Sequence, residues 1–439
     1  MEVSIAESNG LERTLKVQIP AEQVDQAIEE KIRRVGQHAK IPGFRPGKVP
    51  KKVLYQRYGD GARQEVAGEL VQSTIPQAIS QVDLKPAGRP DVSVDSMEPG
   101  AGLAYTATFD VYPEIELQGL DDIKVERPVV EVTDSDVDAA IVRLREQRKT
   151  FEPVEREARD EDKLVIDYEG KIDGEAFEGG TASDVEVVVG EGRFLPDLES
   201  ALKGRTAGES FESDVTFPEE YQSVDLAGKT AQFSVTIKSV SEPQLPELDD
   251  EFLKSLGMEE PNEAELREKL AESLRSEADN QISNREKTQV MDAVLAANPI
   301  EVPKSIVAQE MQRMRQEALS RMPEQFRENS EALAQLFPEE QMREPAEKRV
   351  ALGLLIAEVI SQREIELDRE KVDEKLAELA AQYGAETEQV KQYYQSNPQM
   401  MQGIEAMVME NQVVESLLGA ATISDKTMSL DELLSDGQQ

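Results

Sequence analysis

The chain has 439 residues, a formal net charge of −40, no cysteine and one histidine. That length points to two to four domains, and the composition excludes disulfides, thiolate metal sites, cysteine nucleophiles, Ser-His-Asp triads and multi-histidine metal centres. No apolar stretch approaches the roughly 20 residues of a membrane span, and the N-terminus lacks a basic region followed by an apolar run, so a cytoplasmic protein with no membrane partner is expected.

Residues 1–112 read as an α+β unit. Leu15, Val17 and Ile19 alternate as in a half-buried strand, and Val24, Ala27, Ile28 and Ile32 recur at helical spacing after Pro20. The sequence KIPGFRPGKVPKK follows at 40–52, with five basic groups and no acidic one. It is the centre of a longer island, because 31–57 holds nine Lys or Arg residues and His38 but no Asp or Glu. Pro50 can open a second helix, continued through Val66, Leu70, Val71, Ile75 and Ile79. Leu103, Tyr105, Ala107, Phe109 and Val111 then alternate as a strand. The basic loop therefore joins two helices and projects.

Residues 113–150 form a charged connector with Val137, Ile141 and Leu144 on one side of a helix. The next segment, 151–246, is compositionally distinct: eight of the chain's 20 Phe and Tyr residues fall between Phe151 and Phe233. Turn signals at Asp173-Gly174, Gly179-Gly180, Glu191-Gly192, Gly204, Gly208, Pro218 and Gly228 separate runs such as Leu164/Ile166/Tyr168 and Phe233/Val235/Ile237. A small antiparallel sheet with one short helix is expected there.

From 247 to 439 the pattern is helical, ending in a short polar tail. Asn262 with Glu265 resembles a capping box, and Leu266, Leu270, Leu274, Ala278 and Ile282 run down one face of a helix reaching Asn298-Pro299. Further helices fit 304–322, 344–361, 368–383, 386–395 and 398–418, with narrow apolar stripes that suit extended arms. Eleven of 13 methionines lie at or beyond Met258, among them Met311, Met314, Met322, Met400, Met401 and Met407. Thioethers adapt to irregular partners, which suits a promiscuous client surface, and they equally fill cores. Sequence does not separate the two.

In this order, the loop, the aromatic segment and the helical arms make the chain resemble the trigger factor family of ribosome-associated chaperones. Gly43-Phe44-Arg45-Pro46-Gly47-Lys48-Val49-Pro50 is similar to that family's ribosome-binding signature. Asp173-Gly174, Phe177-Glu178-Gly179-Gly180 and Phe217-Pro218-Glu219-Glu220-Tyr221 are similar to its FKBP-type prolyl isomerase module. The resemblance implies a multidomain α+β fold: an N-terminal α+β ribosome-binding domain, an FKBP-like antiparallel sheet with a short helix, and an all-α C-terminal domain with helical arms. It implies an isomerase pocket lined by Tyr168, Phe177, Leu195, Leu198, Tyr221 and Phe233 with Glu178 nearby, and ribosome contacts by Gly43, Phe44, Arg45, Pro46, Gly47 and Lys48. The implied partners are the large ribosomal subunit near the peptide exit, through protein and rRNA, and nascent or unfolded polypeptides. A homodimer of the free protein is left open, and no cofactor or metal is implied.

The residues support those roles chemically. Lys and Arg neutralise phosphates with counterion release, Arg45 can pair bidentately with a carboxylate or phosphate, and Phe44 supplies an apolar anchor. Prolyl isomerisation needs no general base, because an apolar pocket favours the twisted amide, which carries less charge separation than the planar one. Departures from the family pattern are Pro46 in place of a basic residue, Val185 and Leu198 in place of aromatics, and Leu195-Pro196-Asp197 in place of Ile-Pro-Gly. They imply one charge contact fewer with the ribosome, for which Lys48, Lys51 and Lys52 can substitute, and a lower isomerase efficiency or an altered peptide preference. Three alternatives stay open here: a ribosome-docked holdase whose head only grips peptides, an extracytoplasmic chaperone-isomerase, and an RNA-binding assembly protein.

Overall fold

Two prolines start the first helices. Pro20 is the N-cap of α1 (Ala21–His38) and Pro50 that of α2 (Lys51–Gln81) in the computed structural model. The structure describes every residue except 40, 43, 45–47, 99, 101, 173, 193, 219–225, 259, 321, 323–337 and 437–439, and the side chains of Glu178 and Asp436. Contacts divide the chain into two units, Met1–Pro128 with Ser283–Lys426 and Val129–Ile282 with Thr427–Gln439.

The first unit begins with an antiparallel sheet of β1 (Glu2–Asn9), β2 (Glu12–Ile19), β3 (Pro86–Ser96) and β4 (Leu103–Val111) in the order β1-β2-β4-β3. Across β2 and β4, Leu15, Val17 and Ile19 stand opposite Ala107, Tyr105 and Leu103, so the alternation read from sequence becomes one apolar face. Val24, Ile28 and Ile32 of α1 and Leu54, Ala62 and Val66 of α2 bury against it. Inside this core the Tyr105 hydroxyl lies 2.8 Å from Thr74 Oγ1, and burial pushes the phenol pKa up. After β4 the chain runs to β5 (Lys124–Val129).

The second unit opens with α3 (Asp134–Gln147), where the Asp136 carboxylate accepts from the Thr133 N–H and hydroxyl, both at 2.7 Å. The head follows as β6 (Thr150–Pro153), β7 (Lys163–Ile172), β8 (Glu175–Val188), α4 (Pro196–Leu202), β9 (Ser210–Thr216) and β10 (Thr230–Gln244). Central β10 pairs antiparallel with β7 and also with β9 and β6, and β7 pairs with β8. Leu164, Ile166, Leu202, Val215, Val235 and Ile237 give the head its own core. Its first and last strands are neighbours, Thr150 opposite Gln244 and Phe151 opposite Pro243. Arg156 forks onto both oxygens of buried Asp162, at 2.6 and 2.9 Å, and reaches Glu242 at 3.0 Å. Both ends of the head are thereby tied together.

Short α5 (Asp250–Ser255) leads to α6 (Glu263–Ala297), close to the helix expected over 262–298. In the first unit α7 (Lys304–Ser320), α8 (Glu339–Gln362), α9 (Arg369–Gln382), α10 (Thr387–Ser396) and α11 (Pro398–Leu418) continue the helical series. Their narrow stripes bury in separate groups. Ile123 and Val125 pack with Val290, Val294, Leu355 and Leu417; Val307 packs with Ala346 and Val350; Val372 and Leu376 pack with Ile404 and Val408. Asp110 of β4 accepts from the Ser305 N–H at 2.8 Å at the start of α7.

Beyond α11 the described residues, up to 436, form two further elements. β11 (Thr422–Thr427) pairs with β5, and α12 (Leu430–Asp436) buries Leu430 and Leu433 with Val137, Ile141, Leu274 and Ala278 in the second unit. Two leucines three residues apart share one face of this short helix, and Met428 and Leu434 pack beside them.

Candidate active site

The head contains a cavity of about 430 Å³ lined by Tyr168, Phe177, Phe194, Leu195, Leu198, Phe217, Leu226 and Phe233, with Gly179 and Gly192 at its edge. Tyr168 projects from β7, Phe177 from β8 and Phe233 from β10, so the sheet sets three walls. Leu195 and Leu198 come from the start of α4, where Pro196 holds the first turn. The rings meet at their edges: Phe177 with Phe217 at 5.9 Å and 82°, Phe177 with Phe233 at 6.2 Å and 83°, and Tyr168 with Phe194 at 6.1 Å and 84°. Such packing holds each ring in place through its neighbour. No charged side chain lines the cavity among the described residues.

Five residues expected at this site, Tyr168, Phe177, Leu195, Leu198 and Phe233, are brought together here. Tyr221 and the side chain of Glu178 lie outside the described residues. Phe194, Phe217 and Leu226 complete the wall; Phe217 enters the sequence reading only as the first residue of a motif, and Phe194 and Leu226 are not singled out there. Phe217 is buried, yet one face turns to the cavity. Val185 packs beside the head core, opposite Ile166 on β7. Phe211 sits elsewhere, under the Arg205 guanidinium at 4.5 Å.

In the signature loop, Gly43, Arg45, Pro46 and Gly47 lie outside the described residues. Phe44 is 40% exposed and its N–H donates to the Ile41 carbonyl, closing a turn whose base, Ala39 and Ile41, is buried in the helix-sheet core. An apolar ring is thus displayed from an anchored base. Lys48 precedes Pro50 and is exposed. The flanking helices are braced by ion pairs of Lys31 with Glu65 and Glu69 and of Lys51 with Glu29. Those carboxylates raise the pKa of both ammonium groups. Lys48, Lys52 and Arg57 form no ion pair among the described residues, which leaves part of the island's charge uncompensated.

The methionines divide. Met311 and Met314 pack against Val307, Ala346 and Val350, and Met401 packs against the cluster of Val372 and Ile404. Met322 is half-buried just beyond α7. Met400 and Met407, seven residues apart on α11, are exposed, as are Tyr383 and Tyr393 at 76% and 57%.

An FKBP-like aromatic cavity inserted by its paired end strands into a chain that also carries an α+β domain with a basic segment between its two helices and a helical body defines a chaperone with a peptidyl-prolyl isomerase module. The bacterial trigger factor protein model matches residues 1–144, its C-terminus model matches 264–419, and the FKBP-type peptidyl-prolyl cis-trans isomerase model matches 154–238. The chain is similar to "Trigger factor" of Thioalkalivibrio sulfidiphilus (strain HL-EbGR7), at 43% identity over 99% of this chain and 98% of that one. It is as similar to "Trigger factor" of Ectopseudomonas mendocina (strain ymp), at 43% identity over 98% of each. A solved chain described under "Promiscuous Substrate Recognition in Folding and Assembly Activities of the Trigger Factor Chaperone" aligns over 95% of this chain and 99% of its own, at 22% identity and a TM-score of 0.48. The chain belongs to the trigger factor family, the ribosome-associated chaperones with an FKBP-type isomerase domain.

Proposed function

We propose that the head catalyses cis-trans isomerisation of X-Pro bonds in nascent and newly made chains, with Tyr168, Phe177, Leu195, Leu198, Phe233 and the undescribed Tyr221 and Glu178 forming the site. The carrying observation is the cavity, whose described lining side chains are aromatic and aliphatic, with Gly179 and Gly192 contributing backbone. Amide resonance opposes rotation with a barrier of about 20 kcal/mol. Seating a proline among Tyr168, Phe177 and Phe233 removes water from the amide and so favours the less polar twisted form over the planar one. No residue need gain or lose a proton. Leu198 supplies less wall than an aromatic side chain in its place, which lowers efficiency without changing the mechanism. A protease-coupled assay on the full chain with proline peptides tests this reading: acceleration over the spontaneous rate supports it, and peptide binding without acceleration leaves a gripping head only.

The domains assigned are 1–112 for ribosome binding, 113–150 as a connector against the C-terminal body, 151–246 for isomerisation and 247–439 for client holding. Gly43 to Lys48 dock on the large subunit near the peptide exit, Phe44 as apolar anchor and the basic island against rRNA phosphates. Clients bind the exposed Met400, Met407, Tyr383 and Tyr393, whose adaptable and aromatic surface suits varied apolar segments. Met311, Met314 and Met401 contribute less, being partly covered by their own clusters, as does the half-buried Met322. The compartment is the cytoplasm. Among the described residues no helix is long and apolar enough to cross a membrane.

A further inference from the structure

Glu199 is one of the few acidic side chains withdrawn from water, at 7% exposure, and among the described residues it meets no cation. A buried carboxylate needs its oxygens satisfied. Both are, by backbone: Oε2 accepts from the Gly190 N–H at 3.2 Å and Oε1 from the Phe194 N–H at 3.1 Å. Those two amides bracket the loop between β8 and α4. Gly190 and Gly192 both take positive φ there, +94° and +70°, so the loop is built from residues with wide backbone freedom. The same loop delivers Gly192, Phe194 and Leu195 to the cavity, and Leu198, adjacent to Glu199 on α4, lines that cavity too. Glu199 itself does not line the cavity.

We infer that Glu199 is a positioning residue of the isomerase site, a carboxylate strap that ties the Gly190 and Phe194 backbones together so that Phe194 stands edge-on to Tyr168 as one wall of the proline pocket. The inference rests on the isomerase reading of the cavity. A glycine-rich loop left to itself would sample many backbone states, and two charge-assisted hydrogen bonds to a single rigid helix select one. The carboxylate acts through Phe194 and Leu195 and needs no contact with the peptide.

The chain contains no tryptophan, so Phe194→Trp places a single reporter on the strapped loop of the full-length protein. In that background Glu199→Gln retains one acceptor and turns an N–H toward the other amide, and Glu199→Ala removes both acceptors. With Glu199 intact the reporter's emission is expected to be bluest and its anisotropy highest. Emission should shift to the red and anisotropy fall in Glu199→Gln, and further in Glu199→Ala, with the head still folded by circular dichroism. In the chain with Phe194 retained, kcat/KM is expected to fall about tenfold for Glu199→Ala, with the larger part in KM because the wall that seats the ring has loosened. Glu199→Asp, which keeps the charge on a shorter stem, should recover part of the loss. Unchanged reporter emission and unchanged kcat/KM in Glu199→Gln would overturn the inference. So would a Glu199→Gln head that fails to fold, since the carboxylate would then serve the core and not the loop. If the wild-type chain does not isomerise at all, the isomerase reading fails, and the affinity of the same proline peptide for wild type and Glu199→Gln then decides the strap by itself: weaker binding supports it and equal binding overturns it.

Discussion

Phe177 rests on Gly180 so closely that a methyl group there would stand 2.9 Å from the ring. Gly170 is placed likewise, with an added Cβ 2.7 Å from Phe233 and 3.1 Å from Phe177. Two walls of the cavity therefore depend on side chains that are absent. Gly180→Ala is expected to push the Phe177 ring off its edge contacts with Phe217 and Phe233, at a cost of about 1–3 kcal/mol in head stability. Urea denaturation and the proline-peptide assay should both register it, and an alanine variant with unaltered stability and rate would mean that the ring has room to move.

Phe44 is expected to carry ribosome attachment out of proportion to its size. Its ring is exposed while the base of its turn is buried, so truncation removes an anchor and leaves the core intact. The double variant Phe44→Ala, Arg45→Ala should lose co-sedimentation with ribosomes while keeping wild-type melting. Raising salt should weaken the wild-type complex through counterion release at phosphates. Retained attachment by the folded double variant would move the docking site elsewhere.

Client holding is expected to survive removal of the head. Thr150 and Gln244 are paired neighbours, and the head core draws only on residues 154–240, so a short linker can replace 151–243 without opening another cluster. Light scattering of a denatured, proline-poor client should show protection by the deletion variant close to that of the full chain. Loss of protection in a folded deletion variant would assign client binding to the head.

Acid should loosen the start of α3 by a definite route. Hydrogen bonds from the Thr133 N–H, and then from its hydroxyl, hold the Asp136 carboxyl below its ordinary value. A carboxyl depressed in the folded state stabilises the fold above its unfolded pKa of about 4, and that contribution is lost as pH falls through the lower folded value. Asp136→Asn is therefore expected to cost about 1 kcal/mol near neutral pH, the size of a lost cap. The gap to wild type should close at acid pH, once the carboxyl is protonated in the folded and the unfolded chain alike. Denaturant melts at the two pH values check this, and a gap that stays constant would show that the charge is not involved.

Where the chain marks its own periodicity, the fold can be read directly. Leu15, Val17 and Ile19 alternate because one side of β2 is buried, and the run from Leu266 to Ile282 shows helical spacing because one side of α6 is covered. β1 and β11 carry no such mark: they are edge or two-stranded pieces exposed on nearly every residue, so backbone pairing holds them and side-chain patterning does not. The cavity divides in the same way. Tyr168 and Phe233 stand on patterned strands, whereas Phe194 and Leu226 stand on loops that have no period, and only the fold brings them to the wall. Gly192, two residues before Phe194, reads in the sequence as a turn signal, and its consequence for the pocket shows only once the Glu199 contacts place the loop.

The most direct measurement is the exchange rate between cis and trans forms of a proline peptide, followed by exchange NMR with a small amount of the full-length chain. Wild type should accelerate exchange with a flat profile from about pH 6 to about pH 8, since His-type acid-base chemistry has no part in it. Phe177→Ala should lose acceleration by about tenfold or more while remaining folded, because the amide is then exposed to water on one side. Acceleration that Phe177→Ala leaves untouched, or none from wild type, would contradict catalysis by this cavity.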